Sequence, residues 1–410
     1  MELLKSYITK IEPWKRTLYI LFFAQMMVAV GFASIFPFLP FYVEQLGSST
    51  GLSIELLSGL VFSAQSFTMM IASPMWGVIA DRYGRKLMVE RTMFGGAAIL
   101  LLMAFVVSAE QLVILRAIQG LITGTVAAAN ALLASVTPRR HTGYAMGLLQ
   151  VGFGTGIALG PLIGGAVADA FGYSVAFYIT AAMLFLAGLM VGVGIRENFD
   201  PQAVKAHKQP GFFSAWRGMM NSSGLRITFV TRFLTNLGPN MIFPILPFFI
   251  QTLMSDVAKL NTFTGLVQGV SSAATTISAI FLGRLGDRTS HRKVLIVCVF
   301  LLAGLYGLQG FSTATWHLLV MQALVGVAMG GVIPMISALL ATYGPAGKEG
   351  IIYGVDNSIT SAGRTVAPLL GAAVATPFGF PAVFLAAGAI LLISAGLAAW
   401  RLPPAEKAET

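Results

Sequence analysis

The 410-residue sequence is poor in the residues most enzymes depend on. It has one cysteine, Cys298, and four histidines. A single thiol excludes a disulfide within the chain and any thiolate metal site. His141, His207, His291 and His317 stand singly, so no metal ion is expected. No nucleotide P-loop, HExxH helix or GxSxG elbow is present. Catalytic residues and cofactors are therefore not expected. Charge is scarce as well. Only 10% of residues are charged, against roughly 25% in ordinary soluble domains, and this disfavours a soluble enzyme.

Apolar sequence fills the space instead. The chain is 56% hydrophobic with a mean hydropathy of +0.80. Apolar runs of about 20 residues recur, each long enough to cross the hydrocarbon as a helix. Runs this continuous exclude a barrel, whose strands alternate. The expected spans are 18–42, 56–80, 87–108, 112–134, 142–168 and 174–195, then 226–253, 262–284, 294–312, 316–341, 350–375 and 381–400. The fold class read from them is an all-α membrane protein with twelve transmembrane helices in two pseudo-symmetric six-helix bundles. Residues 1–195 form the first bundle, 196–224 a cytoplasmic linker, 225–402 the second bundle and 403–410 a cytoplasmic tail.

The net charge of +10 raises nucleic acid as a partner, and its distribution argues against it. With a cytoplasmic amino terminus, nearly every Lys and Arg outside a span falls on the cytoplasmic side, while the outer loops hold only Lys259 beside Asp256. That is the positive-inside pattern. The expectation is a multi-pass inner-membrane protein with both termini cytoplasmic, its basic loops touching anionic lipid headgroups.

The two halves repeat. Gly77-Val-Ile-Ala-Asp81-Arg82-Tyr-Gly84-Arg85-Lys86 links two apolar runs, and a looser copy, Gly283-Arg-Leu-Gly-Asp287-Arg288-Thr-Ser-His-Arg292-Lys293, returns about 206 positions later. Pro37 and Pro40 pair with Pro244 and Pro247, Gly120 and Gly124 with Gly326 and Gly330, and Pro161 with Pro368. Parallel repeats of this kind place a site at their interface near the bilayer midplane.

These residues resemble the major facilitator superfamily. The first hinge looks like its loop motif G-x-x-x-D-R-x-G-R-K; the second departs from it with Ser290 and one extra residue. Arg116-Ala-Ile-Gln119-Gly120 resembles the fourth-helix arginine motif. Gly156-Ile-Ala-Leu-Gly160-Pro161-Leu-Ile-Gly164-Gly165 fits the fifth-helix pattern that marks drug:proton antiporters. Pro37-Phe-Leu-Pro40 resembles the first-helix proline pair of the twelve-span antiporters, and several stretches look like the MdtG type of multidrug efflux protein. The resemblance implies a latch between the halves made by Gly77, Asp81, Arg82, Gly84, Arg85, Lys86, Asp287 and Arg288. Asp81 would meet the start of the eleventh span near Gly350, where a helix N-terminus favours negative charge. A loop that only sets topology is the plainer alternative. The resemblance also implies that Arg116 controls carboxylate protonation.

The residues themselves support part of this. Arg116 lies in an apolar span, where a charge is costly and marks function by default; snorkelling to the outer surface is the structural alternative. Glu44 and Asp356 are the proton-carrying candidates, because burial and a neighbouring cation push a carboxylate in opposite directions. Gly156, Gly160 and Gly164 share one helix face, where small residues let helices approach. The expected cavity residues are Phe36, Phe38, Phe41, Asn130, Gln150, Asn240, Met241, Phe243, Phe248, Gln268 and Asn357. Aromatic faces and thioethers among them suit polyspecific apolar binding.

The function expected is a proton-coupled antiporter, acting as a monomer, that exports small amphiphilic drug-like compounds by alternating access. Protons and lipophilic small molecules are its expected partners. A narrow-specificity transporter for sugars or acids, and a transport-dead membrane sensor, are the alternatives.

Overall fold

The computed structural model describes residues 12–122, 124–138, 141–195, 197, 222–255, 257–345 and 349–403; within helices, the side chains at 74, 77, 78, 81, 82, 125–127, 131, 135 and 349–351 are not described. The expected linker and tail lie almost wholly outside these residues. The described chain is helical, with no strand.

The first half comprises α1 (Pro13–Ser34), α2 (Leu39–Leu46), α3 (Ile54–Tyr83), α4 (Arg85–Met103), α5 (Ala109–Ile122), α6 (Thr125–Val136), α7 (Thr142–Phe171) and α8 (Tyr173–Gly194). The second comprises α9 (Ser223–Ile242), α10 (Leu246–Leu253), α11 (Leu260–Arg288), α12 (His291–Gln309), α13 (Thr315–Tyr343), α14 (Glu349–Phe378) and α15 (Phe380–Arg401). Each half carries its own apolar core. Large apolar side chains such as Val193, Phe311 and Trp400 stand exposed around the outside, as a lipid-facing belt requires.

Every expected span coincides with helix, but three of them are broken. Span 18–42 divides at Ile35–Phe38 and span 226–253 at Phe243–Ile245. Each break contains a proline, Pro37 or Pro244, which lacks the N–H that would continue the ladder. Span 112–134 divides at Gly124, whose φ of 140° is a conformation side chains disfavour. The freed carbonyl of Leu121 accepts from the Trp76 indole (2.6 Å). Among the described residues, eight helices are long and apolar enough to cross a membrane, and α9 with α10, bent by 41°, makes a ninth. The rest fall short for stated reasons. Helix α4 opens with Arg85, Lys86, Glu90 and Arg91, α5 and α6 are halves of one span, and α14 is diluted by polar residues including Asp356 and Arg364. The protein is multi-pass.

Glycine closes the tight turns. Gly172 (φ 84°) joins α7 to α8 and its counterpart Gly379 (φ 77°) joins α14 to α15. Gly84 (φ 97°) joins α3 to α4, whereas the second hinge uses Ser290, whose hydroxyl accepts from the Lys293 N–H (3.5 Å).

The halves meet chiefly through two helix pairs, α7 with α11 and α3 with α14, with a smaller contact of α2 with α10. Gly143, Gly147, Gly154, Ala158, Pro161 and Gly165 fall on one stripe of α7. A methyl group added at Gly154 would stand 3.3 Å from Thr276, while Gly165 abuts the Asn261 carbonyl and Gly265 the Pro161 carbonyl. At Gly143, Gly147, Gly283 and Gly354 the same methyl would meet nothing within 4 Å. The halves are therefore packed at the end that holds α2 and α10, here the far end, and parted at the end that holds the hinges.

Candidate functional site

The parted end opens a funnel between the halves, and α14 shows which side chains line it. Asn357, Arg364, Pro368 and Gly371 recur on one face. Pro368 and Gly371 are buried, the first close to Gly59 of α3 and the second against Met241 of α9. Nearer the hinge end, Asn357 and Arg364 on the same face are exposed. Exposure at mid-helix on a face otherwise packed inward places these groups in the funnel wall.

Beside them is the ion pair of this wall. Arg232 Nε on α9 lies 3.0 Å from Asp356 Oδ1 on α14, with both side chains almost enclosed. The same Nε donates to Thr360 Oγ1 (3.1 Å). Arg364 lies about two turns further along α14. Sequence reasoning misses Arg232, although it is a cation in an apolar run, because its partners Asp356 and Thr360 lie far away in sequence.

The other proton-coupling candidates are placed differently. Arg116 is 1% exposed, so it does not snorkel. Its Nη1 donates to Gln119 Oε1 (2.8 Å) and its guanidinium lies 5.8 Å from the Phe62 ring centre. Among the described residues its Nε and Nη2 have no hydrogen-bond partner, and none of the described ion pairs includes it. Glu44 is exposed near the far end. Of Glu44 and Asp356, the two carboxylate candidates, Asp356 is the one that combines burial with a cationic partner.

The aromatic candidates separate into two groups. Phe36 meets Phe243 of the other half (centroids 5.0 Å), and Phe62 joins both rings at 5.9 and 5.8 Å. Together these three close the funnel towards the far end. Phe41 meets Phe248 across the halves (5.6 Å). Phe38 instead packs on Tyr173 and Phe177 inside the first half, fully buried, and Met241 is buried against α14. Neither lines the funnel. Gln150 is exposed on the opening stripe of α7, and Asn130 and Asn240 are partly buried, Asn240 donating to the Asn236 carbonyl (2.7 Å). Gln268 is buried, and among the described residues its amide oxygen and nitrogen have no hydrogen-bond partner.

The glycines of α7 are a packing surface. An added methyl at Gly156 would lie 2.6 Å from Ala29 of α1 and one at Gly160 2.7 Å from Ala33, while Gly164 abuts the Ser34 carbonyl. Gly165 turns to the other half instead.

At the first hinge, Gly77, Asp81 and Arg82 lie on α3 with side chains outside those described, as does the expected partner near Gly350. The described part is held within its own half. Glu197, which the sequence reading passed over, accepts from the N–H groups of Arg85 (3.0 Å) and Lys86 (2.8 Å). This caps α4 where its donors are otherwise orphaned. Lys86 Nζ donates to the Gly192 carbonyl (2.8 Å). At the second hinge Asp287 lies 3.0 Å from His291, and Arg288 is exposed.

Comparison with known proteins agrees with this architecture. A family model described as Major Facilitator Superfamily matches residues 21–257 and 228–410. The chain is 36% identical over 382 residues to Multidrug resistance protein MdtG of Salmonella typhimurium, covering 93% of this chain and 94% of that one. A solved structure of a mutant of the nucleoside transporter NupG superposes with a TM-score of 0.80 at 13% identity, covering 94% of this chain and all of that one. A bacterial homologue of the human lysosomal transporter Spinster, in an inward-facing and unoccupied conformation, gives 0.79 at 14% identity over 95% and 97% of the two chains.

Proposed function

Because this chain belongs to the Major Facilitator Superfamily, we propose that it is a proton-coupled antiporter exporting small amphiphilic, drug-like compounds across the cytoplasmic membrane by alternating access. In this reading the hinge end and both termini face the cytoplasm, as the basic loops favour. The relatives' description as multidrug resistance proteins supports a broad substrate range.

The observation that carries the reading is the funnel, closed by Phe36, Phe62 and Phe243 and bearing the Arg232–Asp356 pair in its wall. A carboxylate withdrawn from water resists ionisation, and an adjacent guanidinium restores it. Asp356 experiences both. When it takes a proton, the tie between α9 and α14 loosens; when it loses the proton, the tie reforms. A substrate lodged against this wall meets a different surface in each case, and differential affinity for two states is what couples two flows. Arg364 and Asn357 offer polar contacts at the wall, and the aromatic cluster offers apolar ones. Arg116 contributes a fixed buried charge behind Phe62. Asp81 and its neighbours are assigned the hinge-end latch.

Inverted vesicles with an imposed pH gradient and a fluorescent amphiphile test this. Wild type is expected to accumulate the probe. Asp356→Asn is expected to lose gradient-driven accumulation while still exchanging probe down its own gradient. Accumulation at the wild-type level by folded Asp356→Asn removes Asp356 as the carrier.

A further inference from the structure

Across the far end, one carboxylate of the first half is bonded to a helix start of the second. Asp169, in the last turn of α7, accepts from the Asn261 N–H (3.2 Å), Asn261 Nδ2 (2.6 Å), the Thr262 N–H (2.7 Å) and Thr262 Oγ1 (2.6 Å). Asn261 and Thr262 open α11, whose N-cap residue, Lys259, supplies no side-chain cap. The first N–H groups of a helix are orphan donors at its positive end. The start of α11 is therefore capped from the other half of the molecule.

Among the described residues, nothing comparable repeats at the other helix pair. The position matching Asp169 is Thr376, which returns its hydroxyl to Ala372 of its own helix (3.0 Å). Helix α3, which faces α14, is capped within its own half by Ser53 (3.3 Å). Around Asp169 the seam is backbone against backbone, Gly165 on Asn261 and Gly265 on Pro161. Contacts of that kind hold only while the helices stay in register, so the four polar bonds must break together if the far end parts.

We propose that Asp169 is a positioning residue for transport, a second latch that holds the far end shut while the hinge end is open and that must release in every cycle. It uses the chemistry assigned to Asp81, a carboxylate on a helix start of the opposite half, at the other end of the molecule and on the other helix pair. Two such latches on opposite pairs would alternate, since the geometry that closes one separates the other. The contact is independent of proton coupling and of substrate identity.

Spin labels at F171C and V257C, both exposed positions beside the latch, report the far-end separation in proteoliposomes without substrate or gradient. Asp169→Ala is expected to raise the far-end-open population roughly five- to tenfold, within the usual range of coupling between two states. Asn261→Ala combined with Thr262→Ala removes the two side-chain donors and leaves both backbone N–H bonds, so it should give a smaller shift in the same direction, and the triple variant with Asp169→Ala should match Asp169→Ala alone. Asp169→Glu should restore part of the wild-type distribution, and initial transport rates should fall more than apparent substrate affinity. Should Asp169→Ala not fold, the Asn261/Thr262 variant decides alone. A wild-type distance distribution in folded variants, or fully additive shifts, overturns the latch. Loss of proton coupling with an intact latch response would fault only the antiport reading.

Discussion

Arg232 and Asp356 form the polar contact on which the proposed chemistry depends. Removing one partner of an enclosed pair strands the other, at a cost of about 3–5 kcal/mol when burial is deep. Here both side chains retain about a tenth of their exposure, so the lower end applies. Arg232→Gln is expected to lower the thermal midpoint in detergent, and Arg232→Gln with Asp356→Asn to recover most of the loss. A double variant as unstable as the sum of the singles would show that the two do not act as a pair. Gly164 makes a different residue-scale case. Its Cα hydrogen faces the Ser34 carbonyl, so Gly164→Ala forces α7 away from α1, an overpacking of about 1–3 kcal/mol. Gly147→Ala points into open space and is expected to leave unfolding by heat or denaturant unchanged.

At the scale of the element, the broken spans mattered more than their length. Composition located every helical run, because about 20 apolar residues leave few alternatives in a bilayer. The breaks at Pro37 and Pro244 were written in the proline pairs, but the sequence reading took those pairs as motif rather than as interruptions. The break at Gly124 has a weaker signal, since a lone glycine within an apolar run usually packs and only a positive φ reveals a turn. Gly124→Ala therefore carries strain of about 1–3 kcal/mol, and its expected effect is a lower thermal midpoint with the Trp76 indole released from Leu121. Loss of the native shift in Trp76 fluorescence would report that release; an unchanged midpoint would place the break elsewhere. Asp356 was legible because acids in apolar runs are rare. Arg232, Glu197 and Asp169 were not, because each matters through a partner far away in sequence: Thr360 and Asp356 for the first, the start of α4 for the second, the start of α11 for the third.

At the scale of the molecule, duplication supplies two similar halves and asymmetry supplies direction. The scaffold repeats down to Gly172 and Gly379. The chemistry does not. Arg116 has Gln322 as its counterpart, which donates to Gln309 (3.2 Å) rather than facing a charge, and Arg232 and Asp356 occupy only the second half. A symmetric pore would leak through both ends alike, whereas unequal halves closed at one end can present one wall to each side in turn. The observed packing, shut by α7 with α11 at the far end and open at the hinges, is one of the two states that the proposed alternating access requires.

The most direct measurement follows pH inside sealed proteoliposomes while an amphiphilic substrate is added on the side of the open funnel. Wild type is expected to move protons opposite to the drug, in proportion to it, and Asp356→Asn to pass drug with no proton signal. Drug movement by wild type with no accompanying proton flux, in vesicles shown to hold a gradient, would contradict proton antiport.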